Sequence, residues 1–271
     1  MSTIISKISV DDAVFSTPEY KNDRMVFNYI EGARQYDTTE FLSDHKNVII
    51  CRKAGHNSVW IWTNDGMHDD MDFIISVAKA VREFNSSDLK FFVKPAVAQM
   101  FSDMYALISC DLDYQVKSEF SLGVYKYCDT KVLSDNSVTV QRYNKKFKDA
   151  FFQFYMDLKD EFHWSEETVI SKVNRFLALN TYLLLKNGNI VSVCVISDDD
   201  GECSSIRSTA TKQEERNKGY GSLVTNIACK SNKKDGNSQI MLYTNIGNLS
   251  ANATFKKAGF KLVGNVHLIK S

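Results

Sequence analysis

Phe147, Phe151, Phe154, Tyr155, Leu158 and Phe162 recur at helical spacing, which predicts an amphipathic helix over about 145–160. Ser165 then offers an N-cap, and Glu166 and Glu167 follow where carboxylates favour the helix dipole. Val169, Val173, Phe176 and Leu177 carry the apolar face of this second helix. After it the period shortens. TYLLLKN and NIVSVCVIS are β-rich runs joined by Asn187-Gly188, a two-residue hairpin signal. The run Asp198-Asp199-Asp200-Gly201 predicts a solvated turn rather than a metal site, because the spacing of a calcium loop is absent, and it leads to a third strand, CSSIRSTAT. A charged loop, Lys212 to Lys218, precedes a helix bearing Leu223, Val224, Ile227 and Ala228. A strand QIMLYT, a helix from Leu249 to Ala258 and a final strand complete the order ααβββαβαβ.

The first half of the chain repeats part of this order more faintly. Strands NVIICRK and SVWIWT precede a helix carrying Ile74, Val77, Ala78, Val81 and Phe84. A strand LKFFV, a helix starting near Pro95 and a strand within EFSLGVYKY follow. Proline suits a first helical turn, where its missing N–H leaves no bond unmade. The pattern breaks at CDTKVLSDN, which predicts a diverged duplication with domains over 1–130 and 131–271.

A length of 271 residues accommodates two such domains, and 44% hydrophobic with 24% charged residues is ordinary globular composition. Lysine plus arginine and aspartate plus glutamate are balanced at 33 each, so no net field draws the chain to nucleic acid or an anionic membrane. No apolar run approaches the roughly 20 residues that span a bilayer, and no secretory leader is visible at the N-terminus, so a cytoplasmic protein is expected. Cys51, Cys110, Cys128, Cys194, Cys203 and Cys229 form no C-x-x-C pair, which suits reduced, packed thiols rather than a zinc or disulfide frame. No metal site is expected.

The candidate chemistry lies in Glu215-Arg216-Asn217-Lys218-Gly219-Tyr220-Gly221-Ser222, between a strand and an amphipathic helix. A glycine-bearing loop that opens a helix presents several N–H groups in one direction, with the positive end of the helix dipole behind them. It can cradle a pyrophosphate. Gly219 and Gly221 would adopt dihedrals closed to other residues and allow close approach, and Arg216 and Lys218 can add charge. No G-x-x-x-x-G-K-[ST] occurs, and a dinucleotide fingerprint would need Gly or Ala where Val224 stands. An acyl-CoA loop and a purely structural helix start remain.

Further on stand Asn248, Ala251, Phe255, Lys257, Gly259 and Phe260. Together the two segments resemble the GNAT superfamily of acyl-CoA-dependent N-acetyltransferases, whose pattern is R/Q-x-x-G-x-G/A and then N-x-x-A/S-x-x-x-Y-x-K-x-G-F. The resemblance implies an α/β (α+β) fold, a mixed, mostly antiparallel twisted sheet flanked by helices, in two tandem lobes. It implies acetyl-CoA as acyl donor and a primary amine, on a small molecule or peptide, as acceptor. Pantetheine would pair with the splayed strand end at Thr209, Ala210 and Thr211 and meet Asn248. The pyrophosphate would rest on Arg216, Asn217, Lys218, Gly219, Tyr220, Gly221 and Ser222.

Two departures from the family pattern weigh on catalysis. Phe255, which the resemblance also places at the cofactor, occupies the slot where the family often has a proton-donating tyrosine, and Ser205 occupies the usual acidic base position. Glu202 is the remaining candidate base, with an exposed strand-start carboxylate as its simpler reading; His163 reads as a partly buried structural histidine, and Tyr220 and Tyr243 as packing residues. The rival function is therefore a non-catalytic acyl-CoA-binding or scaffold protein. In the N-terminal half the corresponding loop, residues 63–70, carries Asp65, Asp69 and Asp70, which would repel pyrophosphate and suit capping of the next helix. Trp60 and Trp62 are expected to face opposite sides of their strand, one in the core and the other against a groove or an interdomain contact.

Overall fold

The structure, a computed structural model, describes residues 3–270 apart from 87, 111–114, 117, 199–202 and 235–238. The chain divides into two compact units: residues Met1–Val124, Asn245–Gly247 and Val263–Ser271 form the first, and Tyr125–Thr244 with Asn248–Leu262 the second.

The first unit contains β1 (Ser6–Lys7), α1 (Pro18–Asp23), α2 (Asn28–Ala33), β2 (Thr39–Ser43), β3 (Val48–Lys53), β4 (Ser58–Thr63), α3 (Met71–Arg82), β5 (Lys90–Val93), α4 (Ala98–Ile108) and the start of β6 (Ser118–Tyr127). β1 to β4 pair antiparallel in sequence order, and β5 lies parallel to β4. Residues His267 to Lys270, from the far end of the chain, pair antiparallel with β5, so Ile269 joins the same core as Ile61, Phe91 and Phe101. That core forms because α3 turns Phe73, Val77 and Val81 to one side. Asp70 begins α3 by accepting the Phe73 N–H, as the sequence suggests, and Pro95 opens a 3-10 turn directly ahead of α4. α1, α2, β1 and β2 are too short to register in a periodicity scan. Trp60 and Trp62 do not divide between core and groove: two positions apart in β4, they share one face of the strand, and both are buried there, Trp60 stacked on Phe92 and Trp62 edge-on to Tyr20.

The second unit contains β7 (Thr139–Arg142), α5 (Lys148–Asp157), α6 (Glu166–Leu177), β8 (Asn180–Lys186), β9 (Asn189–Asp198), β10 (Cys203–Thr211), α7 (Tyr220–Lys234), β11 (Gln239–Asn245), α8 (Leu249–Ala258) and the start of β12 (Phe260–Lys270). The expected order is present with one addition, the four-residue edge strand β7, whose one apolar residue, Val140, hides among polar ones. β7 to β10 pair antiparallel in sequence order and β11 runs parallel to β10. Asn187 and Gly188 both have positive φ, which closes the β8–β9 hairpin tightly. Ser165 caps α6 through the Thr168 N–H.

Because strand side chains alternate, β8 and β9 serve two cores. Leu183, Val193 and Val195 pack with Phe151, Tyr155 and Val173 of α5 and α6. Tyr182, Leu184, Cys194 and Ile196 pack with Leu223, Val224 and Phe255 of α7 and α8. Helices on both faces explain why these strands read as unbroken apolar runs. The result is a mixed, mostly antiparallel sheet flanked by helices. No described helix is long and apolar enough to cross a membrane, and no described group of His, Cys, Asp and Glu could hold a metal ion. Cys51, Cys194 and Cys229 are buried free thiols; Cys110, against expectation, is exposed.

Candidate functional site

Among the described residues β10 pairs parallel with β11 at three positions, ending at Ser205–Met241, and then continues to Thr211 with β9 as its strand partner. Its register with β9 shifts between Ile206 and Ser208, a bulge that leaves Arg207 as the extra residue. Past the bulge the strand is secured on one edge only. Ser192 of β9 donates to the Ala210 carbonyl at 2.9 Å and contacts the Thr211 hydroxyl at 2.8 Å. Behind it, Tyr155 meets Ser208 at 2.9 Å, and burial pushes the Tyr155 hydroxyl well above its ordinary pKa, so it stays a protonated structural group.

The edge of β10 that β11 leaves is open. Thr209, Ala210 and Thr211 line a cavity of about 810 Å³ with the following loop and α8. In the loop, Asn217 and Gly219 have φ of 60° and 82°. Positive φ at Gly219 is the dihedral freedom the sequence suggests. Gly221 differs from that expectation, since it sits in the first turn of α7 without positive φ. It is required for space: a Cβ there would come within 3.2 Å of the Thr254 methyl and 3.3 Å of the Thr211 hydroxyl. The chain is thus packed from both sides of the cavity onto one glycine.

The charges of the loop are also distributed differently from the expectation. Lys218 turns away from the cavity and donates to the Glu214 carbonyl at 3.0 Å and to Glu215 at 2.7 Å. Glu215 also receives Lys186, and these two ammonium groups, Lys218 first, hold its carboxyl below the usual range. That ion cluster braces the loop beside the cavity, which Glu215 itself lines. Arg216 donates through Nε to the Thr211 carbonyl at 3.1 Å and through Nη2 to Glu161 at 2.5 Å. The cation left facing the cavity is Lys257 of α8, whose Nζ lies 3.2 Å from where a Gly219 Cβ would sit. No described carboxylate pairs with it.

α8 completes the wall. Asn248 caps it by accepting the Ala251 N–H at 3.0 Å, so its side-chain oxygen is already engaged. Asn252, one turn along, donates to the Asn248 carbonyl and receives the Tyr125 hydroxyl at 2.8 Å. Ser222 Oγ donates to the Thr254 carbonyl, tying the start of α7 to α8. Asn226 binds the Ala258 carbonyl at 3.0 Å and accepts the Leu133 N–H, fixing the other end of the same helix pair. Phe255 is buried, edge-on to Phe260.

Eleven of the twelve residues expected at the cofactor, all but Lys218, line this single cavity. Tyr220, read as a packing residue, is buried and lines it too. Glu202 lies outside the described residues, as does most of the acidic turn before it. Ser205 is buried. His163 is not partly buried: it is exposed with φ 53° in the α5–α6 turn, a backbone role. The sequence reading missed Glu161, Phe162, Ser250, Thr254 and Lys257 as lining residues. Lys257 stands within the second motif and could have been found there. Glu161 and Phe162 belong to a helix–helix turn with no motif of its own.

Residues 141–260 match the family model described as "Acetyltransferase (GNAT) family". No curated protein sequence matches the chain. Among solved structures, an acetyltransferase of the GNAT family from Colwellia psychrerythraea is similar over 98% of this chain and 99% of its own, with TM-score 0.56 and 13% identity. A GCN5-related N-acetyltransferase from Sphaerobacter thermophilus matches over 99% and 95%, with TM-score 0.64 and 10% identity. A tandem GNAT protein from the clavulanic acid biosynthesis pathway matches over 99% and 98%, with TM-score 0.50 and 9% identity. At such identities these likenesses concern the fold.

Proposed function

From a chain whose residues 141–260 are a domain of the GNAT acetyltransferase family, we propose an N-acetyltransferase that moves an acetyl group from acetyl-CoA to a primary amine. The observation that carries this reading is the separation of β10 from β11 beside the glycine loop. An unpaired strand edge, the N-terminus of a 15-residue helix and an unpaired lysine share one cavity. These are the donors that an extended amide arm, a pyrophosphate and their negative charge require. The assignment to 1–130 of a diverged GNAT-like lobe without a cofactor loop, and to 131–271 of the acetyltransferase domain, belongs to the same proposal.

When bound, acetyl-CoA supplies the activated thioester. Residues 209–211 hold the pantetheine arm as a further strand would be held, Asn217 to Ser222 receive the pyrophosphate through their amides, and Lys257 balances its charge. The acceptor amine must arrive neutral and in line with the thioester carbon. Its nitrogen bonds to that carbon, the carbon–sulfur bond breaks, and the amine's proton passes to water. Backbone N–H groups on the open edge of β10 face the carbonyl oxygen, where negative charge develops.

Phe255 and Ser205 favour a second reading, a non-catalytic acyl-CoA-binding protein, because neither offers the proton chemistry common in the family. A thiol-release assay with acetyl-CoA across amines, polyamines, aminoglycosides and peptides separates the two. Release that depends on one class of amine supports the enzyme; tight acetyl-CoA binding without release by any acceptor supports the binding protein.

A further inference from the structure

Resting on the reading of this cavity as an acyl-CoA site, we infer that Glu161 selects an acceptor that carries a second cation beyond its reacting amine. Arg216 Nε reaches the Thr211 carbonyl at 3.1 Å and its Nη2 reaches Glu161 at 2.5 Å. One guanidinium therefore spans the gap between the open end of β10 and the α5–α6 turn. The Glu161 carboxylate accepts hydrogen bonds and offers no donor, so it forms a cation subsite that the protein's own side chain fills.

Arg216 also belongs to the glycine loop. A pyrophosphate there carries more charge than one carboxylate and offers a guanidinium paired acceptor oxygens, so it competes directly for Arg216. Both partners are about two-fifths exposed, with side-chain accessibilities of 38% and 44%. Such a pair is worth little to stability and gives way readily. Once Arg216 turns to phosphate, Glu161 is left facing the cavity without its cation. A cation on the acceptor restores the balance. Phe162, next in the chain, lines the cavity and stacks on Trp164 at 4.6 Å, an apolar wall suited to methylene groups. The chemistry points to an aliphatic amine with an ammonium or guanidinium a few carbons from the reacting nitrogen.

The test uses the full chain and calorimetry, so it does not depend on turnover. Butylamine, 1,4-diaminobutane and 4-guanidinobutylamine are titrated into protein saturated with CoA, for the parent and for Glu161→Gln. The two dications should bind the parent at least tenfold more tightly than butylamine, and Glu161→Gln should bring all three within about threefold. The same variant should bind acetyl-CoA about two- to five-fold more tightly, since Arg216 is no longer held back. Glu161→Lys, checked for its melting temperature, should instead prefer 4-aminobutanoate to 1,4-diaminobutane. Equal binding of the three amines by the parent, or an unchanged preference in Glu161→Gln, overturns the inference while leaving the acyl-CoA reading intact. Absence of acetyl-CoA binding by the parent removes that reading, and the inference with it.

Discussion

The two units solve the same strand problem in opposite ways. In each, a strand pairs parallel with its neighbour at three described positions and then runs on beside its antiparallel partner into a 3-10 turn and a helix: β4 leaves β5 after Trp60, and β10 leaves β11 after Ser205. In the second unit the stretch beyond the parallel pairs is six residues long, Ile206 to Thr211, and it opens a cavity. In the first it is three, Ile61 to Thr63, and all three are buried. There Lys94, directly after β5, reaches Asp65 at 2.5 Å, pairs with Asp23 and lies over the Trp62 ring, while Trp62 Nε1 donates to Asp23 at 2.8 Å. The first unit puts its own cation against its own acids where the second leaves amides and Lys257 unpaired. A split in a sheet becomes a binding site only if the side chains do not close it.

The largest expected effect comes from filling the open site. Gly221→Val adds two methyl groups where even a Cβ meets Thr254 and Thr211 at 3.2 and 3.3 Å, so α7 and the end of β10 must separate. Acetyl-CoA affinity should fall by more than about a hundredfold, or roughly 3 kcal/mol, in a variant that circular dichroism still finds folded. Parent protein should bind one acetyl-CoA per chain in calorimetry. A stoichiometry of two, or unchanged affinity in the variant, would break the contrast between the units.

Next in size is the cation that the open site keeps. Lys257→Met retains the length of the side chain and removes its charge, which is worth about 1.5–3 kcal/mol if it makes a charge-assisted hydrogen bond to phosphate. Acetyl-CoA should bind about ten- to a hundredfold more weakly, and the loss should shrink as salt is raised. An equal loss at all salt concentrations would mean that the side chain acts by packing.

The closed site predicts the converse, a loss of stability without loss of affinity. Lys94→Met leaves Asp23 and Trp62 Nε1 in place without their cation; because Asp65 is largely exposed, we expect a destabilisation of about 1–3 kcal/mol, below that of a fully buried pair. Hydrogen bonding to Lys94 holds the Asp65 carboxyl below its usual pKa. That contribution is present above the unfolded-state pKa and disappears as pH falls through the folded one. Urea melts of parent and variant should therefore converge toward low pH, with acetyl-CoA affinity unchanged near neutrality. Weaker acetyl-CoA binding by Lys94→Met would show that the closed site serves the open one.

Much of this contrast was legible in the residue order. Helices with clear stripes, such as α6 with Val169, Val173 and Phe176, and the Asn187-Gly188 hairpin follow from local spacing. The glycine loop and α8 were recognisable because backbone demands fix their residue types. What escaped depends on contacts distant in sequence. Gly221 is required by Thr254, 33 positions away, rather than by its own dihedral. Lys218 and Arg216 look alike as loop cations, yet Lys186 and Glu161, from other elements, decide where the loop's charges point. The pairing of the last residues of β12 with β5 is invisible to a linear scan, because nothing local distinguishes a strand that pairs with its own half from one that crosses to the other.

The smallest expected effect concerns the proton rather than the cavity. Phe255 lines the site and packs edge-on against Phe260 at 6.0 Å, so Phe255→Tyr adds one hydroxyl to an otherwise unchanged ring. A general acid contributes about 10²- to 10⁴-fold where the leaving group needs its proton. A thiolate is a far better leaving group than an alkoxide, so it needs that proton less. If this chain is built to release thiolate unprotonated, the added phenol should raise kcat less than about tenfold, in the assay that identifies the acceptor. A thousandfold rise would mean that the native site lacks an acid it needs, and the acyl-CoA-binding reading would then describe the protein better than the enzyme does.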